Sequence, residues 1–197
     1  MNNFDSLIVK NYLPKEVISI LNNWTLENYT KEFFNVSQMN HLGTRHTTRQ
    51  CSNRNVDHLF DYPQTVYNVQ SKISTDFGLD NFKKAKIGKN GIVTGIGFKG
   101  DYIFEHNDPI WVPNTQTYHF NFISQKPVEG GVTVINNVPH DIDSGDLLIY
   151  NVSKCQHRVT ETVGNIPRIL YVFGFCIDTN KINDIFEQFI LKSKQSE

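Results

Sequence analysis

The chain has 197 residues, 39% apolar and 20% charged, which excludes a disordered segment or a collagen-like repeat and is enough to form one buried core. Nineteen basic side chains against 20 acidic ones leave a formal net charge of −1, which argues against a dedicated nucleic-acid binder or a membrane-surface protein. Cys51, Cys155 and Cys176 form no CxxC and cannot all pair, which argues against a disulfide scaffold.

The opening Met1-Asn-Asn-Phe-Asp-Ser lacks the basic and apolar regions of a signal peptide, and the longest apolar run, Ile169 to Ile177, is too short to cross a bilayer. A soluble cytoplasmic chain is the expectation. No internal repeat, low-complexity tract or linker interrupts it, so residues 1–197 read as one domain. It divides into a helical N-terminal part and loop (1–80), a β core (82–177) and a C-terminal helix (178–197). Ala85 is the only alanine, while Ile, Phe and Tyr are plentiful, which leans the composition towards strands.

In chain order, Leu13, Val17, Ile18, Leu21 and Trp24 fall at helical spacing, with Pro14 suited to a helix start. A second helix is predicted from about Pro63 to Phe77, closed by Gly78 in a left-handed cap. The pattern then changes to short β runs separated by Gly, Asn and Ser. Predicted strands are Lys84–Ile87, Ile92–Phe98, Tyr102–Asp108, Thr117–Ser124, Gly131–Asn136, Asp146–Val152, His157–Thr160 and Arg168–Cys176. A third helix follows near Asn180 to Lys192, with Ile182, Ile185, Phe186, Phe189 and Ile190 on one stripe. The expected class is α+β, mainly β: a closed or double-sheet jelly roll with flanking helices.

Glu105-His106-Asn107-Asp108 contains the only His-x-Asp in the chain. Residues i and i+2 of a strand share a face, so both side chains can reach one metal ion. His157 stands on a later predicted strand, and two His with one carboxylate make the facial triad of non-haem Fe(II) oxygenases, which leaves coordination positions open. Arg168 opens the most apolar strand of the chain. A charge there is costly to bury unless an anion pairs with it, and a guanidinium suits a carboxylate.

These residues resemble a family. Gly97-x-x-Gly-x-Tyr-x-x-x-His106-x-Asp108, Glu129-Gly-Gly-x-Thr133, Ser144-Gly-Asp-Leu-Leu-Ile-Tyr150, His157-Arg-Val and Gly164-x-x-x-Arg168 occur in the order and spacing of the 2-oxoglutarate- and Fe(II)-dependent dioxygenases. The small prolyl-hydroxylase-like branch is the nearest match. The resemblance covers roughly residues 90 to 177, and Val9-Lys-Asn-Tyr-Leu-Pro is similar to that branch's opening. It implies a double-stranded β-helix with the metal at one mouth. His106, Asp108 and His157 then match the iron ligands, and Arg168 the residue that binds the distal carboxylate of 2-oxoglutarate. The implied reaction hydroxylates an unactivated C–H bond of an amino acid, peptidyl residue or related small molecule with O2, giving succinate and CO2, with ascorbate as a reductant. A tyrosine on the Thr117–Ser124 strand usually assists the arginine in this branch; Phe122 stands where it is expected, and Tyr118 or Asn121 is the substitute. A carboxylate at Asp108 argues against halogenation.

Thr44-Arg-His-Thr-Thr-Arg-Gln-Cys-Ser-Asn-Arg54 holds three of the five arginines. It reads either as a solvated loop or, through Arg45 and Arg49, as a site for an anionic group of the substrate. Trp111, just after the ligands, is a lid or a core residue. His140-Asp-Ile-Asp143 reads as solvated loop and Cys155 as buried filler. His119 reads as a core or surface histidine, with a place beside the site as the alternative. Two further readings are a jelly-roll binding module without turnover and a nucleic-acid demethylase of the same superfamily. The near-neutral charge speaks against the demethylase.

Overall fold

Pro14 precedes the first helix, α1 (Lys15–Asn28), and Pro63 the second, α2 (Gln64–Asp76), each supplying the fixed φ that a helix start accepts. Gly78 lies just beyond α2 at φ +65°, and the Leu79 N–H reaches back to the Ser74 carbonyl at 2.6 Å, the left-handed closure that the sequence predicts. The third helix, α3 (Ile182–Gln195), buries Ile182 and Phe186. These elements come from a computed structural model, which describes residues 5–36, 49–51 and 60–195. No helix in it is long and apolar enough to cross a membrane.

The described strands are β1 (Ser6–Val9), β2 (Asn35–Val36), β3 (Arg49–Cys51), β4 (Lys83–Lys84), β5 (Ile92–Gly97), β6 (Ile103–His106) and β7 (Thr115–Gln125). They continue with β8 (Glu129–Gly130), β9 (Thr133–Ile135), β10 (Val138–His140), β11 (Leu147–Asn151), β12 (His157–Val159), β13 (Thr162–Val163) and β14 (Arg168–Asp178). Seven of the eight predicted strands form, within a few residues at their ends, and the eighth, Lys84–Ile87, is a strand only at Lys84. The Lys84–Ile87 run pairs with β14 only over β4 and leaves the sheet before the turn at Gly88. Six short strands were not predicted: β1, β2, β3, β8, β10 and β13.

One sheet runs β1-β11-β7-β14-β5-β3-β2, with β4 on β14, and a smaller one runs β10-β9-β12-β6. All the pairings are antiparallel. Strands β5, β7, β11 and β14 are buried almost throughout, so both faces of the large sheet are covered. Alternation decides which side chain meets which layer. Phe120 and Phe122 of β7, Ile149 of β11 and Tyr171, Phe173 and Phe175 of β14 pack with the helices, against Leu21, Val66, Ile73 and Phe186. The opposite face presents Ile123, Leu148 and Tyr150, which bury with Ile135 of the small sheet. Apolar burial on this scale stabilises by roughly 1.5–3 kcal/mol for each large side chain. The space between the two sheets is where the chemistry-bearing residues converge.

Candidate functional site

Strand register brings the two histidines together. His157 of β12 is the direct cross-strand partner of His106 of β6, so their side chains share a face, with ring centroids 4.2 Å apart. Asp108 lies two residues past the end of β6, not on the strand as its spacing predicts. Its position comes instead from its own N–H, which donates to the Val152 carbonyl at 2.9 Å. The result is nevertheless convergent: one ligand atom from each of His106, Asp108 and His157 lies within 4.8 Å of the others. Among the described residues this is the one such group of His, Cys, Asp and Glu. Cys155 is buried outside it, and Asp141 and Asp143 pair with Lys126.

Both imidazoles are fixed in one tautomer. His106 Nδ1 is 2.8 Å from the Phe104 carbonyl, and His157 Nδ1 is 3.1 Å from the Cys155 carbonyl. A carbonyl oxygen can only accept, so each Nδ1 carries the proton and each Nε2 keeps its lone pair. Asp108 Oδ1 lies 3.6 Å from His106 Nε2. Burial pushes the Asp108 carboxyl above its usual range, and His106 opposes that only in part. Two imidazole lone pairs and one desolvated carboxylate, with no thiolate, form a donor set that fits a divalent first-row metal such as iron.

A cavity of about 230 Å³ runs from this triad to Arg168. Arg168 opens β14 opposite Gly97 and is only 4% exposed. One guanidinium nitrogen donates to Thr133 Oγ1 at 3.2 Å, while Nε has no hydrogen-bond partner. No acidic side chain pairs with it among the described residues, and burial lowers its pKa to about 10. Gly131, at φ +63°, makes room for it: a Cβ there would stand 2.9 Å from Arg168 Cδ. A buried cation in that state calls for an anion.

Strand parity separates the residues expected to assist Arg168. Asn121 lines the cavity. Tyr118 does not: it points to the helical layer, beside Phe186 at 5.2 Å between centroids. Phe122 shares that face, stacked on Tyr12 at 5.7 Å, so it does not occupy the tyrosine's place. The phenol on the cavity wall comes from β11 instead. Tyr150 is buried, and Asn121 Nδ2 donates to its hydroxyl at 3.2 Å. Its ring stands 5.2 Å from that of His157, and burial raises its pKa. His119 also faces the cavity, with Nε2 3.4 Å from Asp108 Oδ2, so the reading as an ordinary core or surface histidine is corrected.

Trp111 lines the cavity, as do Ile103, Val159, Leu170 and the exposed Lys86. Gln50 of β3 reaches it too, which ties the arginine-rich segment to the site. Arg49 has a described backbone, paired with Ile96 of β5, but its side chain lies outside the described residues, and Arg45 lies outside them altogether.

No family model matches the sequence, and no curated protein does. Solved structures match the fold. A prolyl-4-hydroxylase from Pseudomonas putida superposes with a TM-score of 0.64 at 12% identity, over 88% of this chain and 92% of that one. A viral collagen prolyl hydroxylase from Paramecium Bursaria Chlorella virus-1, in complex with 2-oxoglutarate, gives 0.61 at 10% identity, over 89% and 98%. A prolyl hydroxylase from Trichoplax adhaerens, bound to a peptide fragment of the hypoxia inducible factor oxygen degradation domain, gives 0.62 at 15% identity, over 91% and 86%.

Proposed function

We propose that the protein is an Fe(II)- and 2-oxoglutarate-dependent dioxygenase that hydroxylates a C–H bond of an amino acid, a peptidyl residue or a related small molecule. One observation carries the reading: a His-Asp-His donor set and a buried arginine without an acidic partner face the same cavity. The fold shared with the prolyl hydroxylases supports it, and with it a double-stranded β-helix in the β core (82–177) of a single domain.

In this reading His106, Asp108 and His157 hold the iron through His106 Nε2, His157 Nε2 and Oδ1 of Asp108. Iron bound there supplies the redox chemistry, coupling the oxidative decarboxylation of 2-oxoglutarate by O2, to succinate and CO2, with conversion of R–H to R–OH. The protein's own residues bind, orient and shield. Arg168 takes the distal carboxylate of 2-oxoglutarate by a charge-assisted pair that replaces the water lost on burial. Asn121 and Tyr150 supply the neighbouring contact. With Asn121 Nδ2 donating to the Tyr150 hydroxyl, the phenol O–H and the second amide N–H remain as donors. Thr133 and Gly131 fix the guanidinium. Val93, Leu170 and Val172 add apolar surface to the cavity wall.

Trp111 and Gln50, both on the cavity wall, line the way in for the substrate, with Arg45 and Arg49 the candidates to bind an anionic group on it. A peptide is favoured by the peptide-bound structural relative. The test is succinate formation from 2-oxoglutarate with Fe(II), ascorbate and O2, with and without candidate peptides. Substrate-free turnover that disappears in Asp108→Ala is the expected result. A wild-type protein that binds neither metal nor 2-oxoglutarate would overturn the proposal in favour of a silent binding module.

A further inference from the structure

His119 is a group that neither the metal-binding set nor the arginine pocket absorbs. It projects from β7, is 8% exposed, and is the direct partner of Tyr150 across the β7–β11 ladder. Its Nε2 is buried and has no hydrogen-bond partner, yet it stands 3.4 Å from Oδ2 of Asp108. The other carboxylate oxygen, Oδ1, faces His106. The two oxygens of Asp108 are thus divided between two histidines.

We propose that His119 is a positioning residue for Asp108, its Nε2–H holding Oδ2 so that Oδ1 alone is presented to the metal. The inference rests on the oxygenase reading for the identity of the site, but its geometry stands without the metal. A lone pair on the buried Nε2 would stand 3.4 Å from the lone pairs of a carboxylate oxygen, whereas a proton there meets an acceptor. The carboxylate therefore selects the Nε2–H tautomer at His119, the opposite of the Nδ1–H tautomer that backbone carbonyls impose on His106 and His157. At 3.4 Å the contact is long and imperfectly aligned for a hydrogen bond, and contacts of this kind tighten when a site is loaded. The consequence is control of denticity. An unrestrained carboxylate can chelate through both oxygens and occupy a coordination position that co-substrate or O2 needs.

The test has two readouts independent of turnover. Long-range proton–nitrogen correlation on metal-free, ¹⁵N-labelled protein, with signals assigned by loss in each variant, should show Nε2–H at His119 and Nδ1–H at His106 and His157. An Nδ1–H tautomer at His119 would overturn the proposal. Calorimetric titration with Mn(II) should show affinity weakened about 10- to 100-fold in His119→Leu, the usual range for a group that orients a ligand. His119→Gln, whose amide can donate from nearly the same point, should recover most of the loss. Wild-type affinity in His119→Leu, or equal losses in both variants, would reduce His119 to packing and refute the role. A wild type that binds no Mn(II) would sink the oxygenase reading instead, and the tautomer would still decide this one.

Discussion

Arg168→Met should make the ligand-free protein more stable while weakening its response to 2-oxoglutarate. The guanidinium is buried with one hydrogen bond, to Thr133, and no acidic partner among the described residues. The fall in its pKa from 12.5 to about 10 on burial corresponds to a charge penalty of about 3 kcal/mol. Methionine has similar reach and carries no charge, and replacing a poorly compensated buried ion by an apolar side chain is often stabilising. Losing the Thr133 bond costs about 1 kcal/mol and imperfect packing takes more, which leaves a gain of about 1–2 kcal/mol. For a chain of this size that raises the melting temperature by about 2–8 °C. With Mn(II) present and 2-oxoglutarate at a hundred times its Kd, the wild type gains about 2.7 kcal/mol. Loss of one charge-assisted pair weakens binding about 10- to 150-fold, so at the same concentration the variant gains only about 0.3–1.4 kcal/mol. Thermal melts of both proteins, with and without 2-oxoglutarate, read all four states. A variant less stable than wild type but stabilised equally by 2-oxoglutarate would show that Arg168 is a structural residue, and the reasoning would be wrong.

Replacing His106 or Asp108 with Ala should abolish measurable Mn(II) binding by calorimetry while the far-ultraviolet dichroism stays that of the wild type, because neither side chain belongs to the apolar core. Tyr150→Phe should weaken 2-oxoglutarate binding to the metal-loaded protein about 2- to 12-fold, the value of one hydrogen bond, and Tyr118→Phe should leave it unchanged. Acid should destabilise the protein through His119. Its folded pKa is depressed, so below about pH 6.5 the unfolded chain binds the extra proton and stability falls by up to about 1.4 kcal/mol per pH unit as pH drops towards the folded value. His140, also lowered by burial, acts with the same sign. Urea midpoints from pH 7 to pH 5 should therefore slope less in His119→Gln than in wild type, and parallel slopes would remove His119 as the source.

The central strands of the large sheet are legible because they are short apolar runs bounded by glycine turns, and the helices because their apolar stripes are regular. The strands that went unread, such as β1 and β3, are held by partners distant in sequence. Ser6–Val9 pairs with β11 and Arg49–Cys51 with β5, and nothing local in either segment announces the pairing. The same division runs through the site. His106, Asp108, His157 and Arg168 stand in short motifs that carry their own signal. Tyr150 does not: its place depends on β11 pairing with β7 so that Leu148 lies opposite Asn121, which sets Tyr150 diagonally across from that amide. Choosing between Tyr118 and Asn121 required the face of β7, and a strand reverses its faces at every residue, so parity alone consigned Tyr118 and Phe122 to the helical layer. Gln50 was missed for a related reason, since attention to charge singled out its neighbour Arg49.

A crystal structure of the protein grown without O2, with Mn(II) and 2-oxoglutarate, is the most direct measurement of the central claim. The account predicts metal density bonded to His106 Nε2, His157 Nε2 and one oxygen of Asp108, with the distal carboxylate of 2-oxoglutarate on Arg168 and beside Asn121 and Tyr150. Metal bound elsewhere, or 2-oxoglutarate bound with Arg168 still facing no anion, would contradict it.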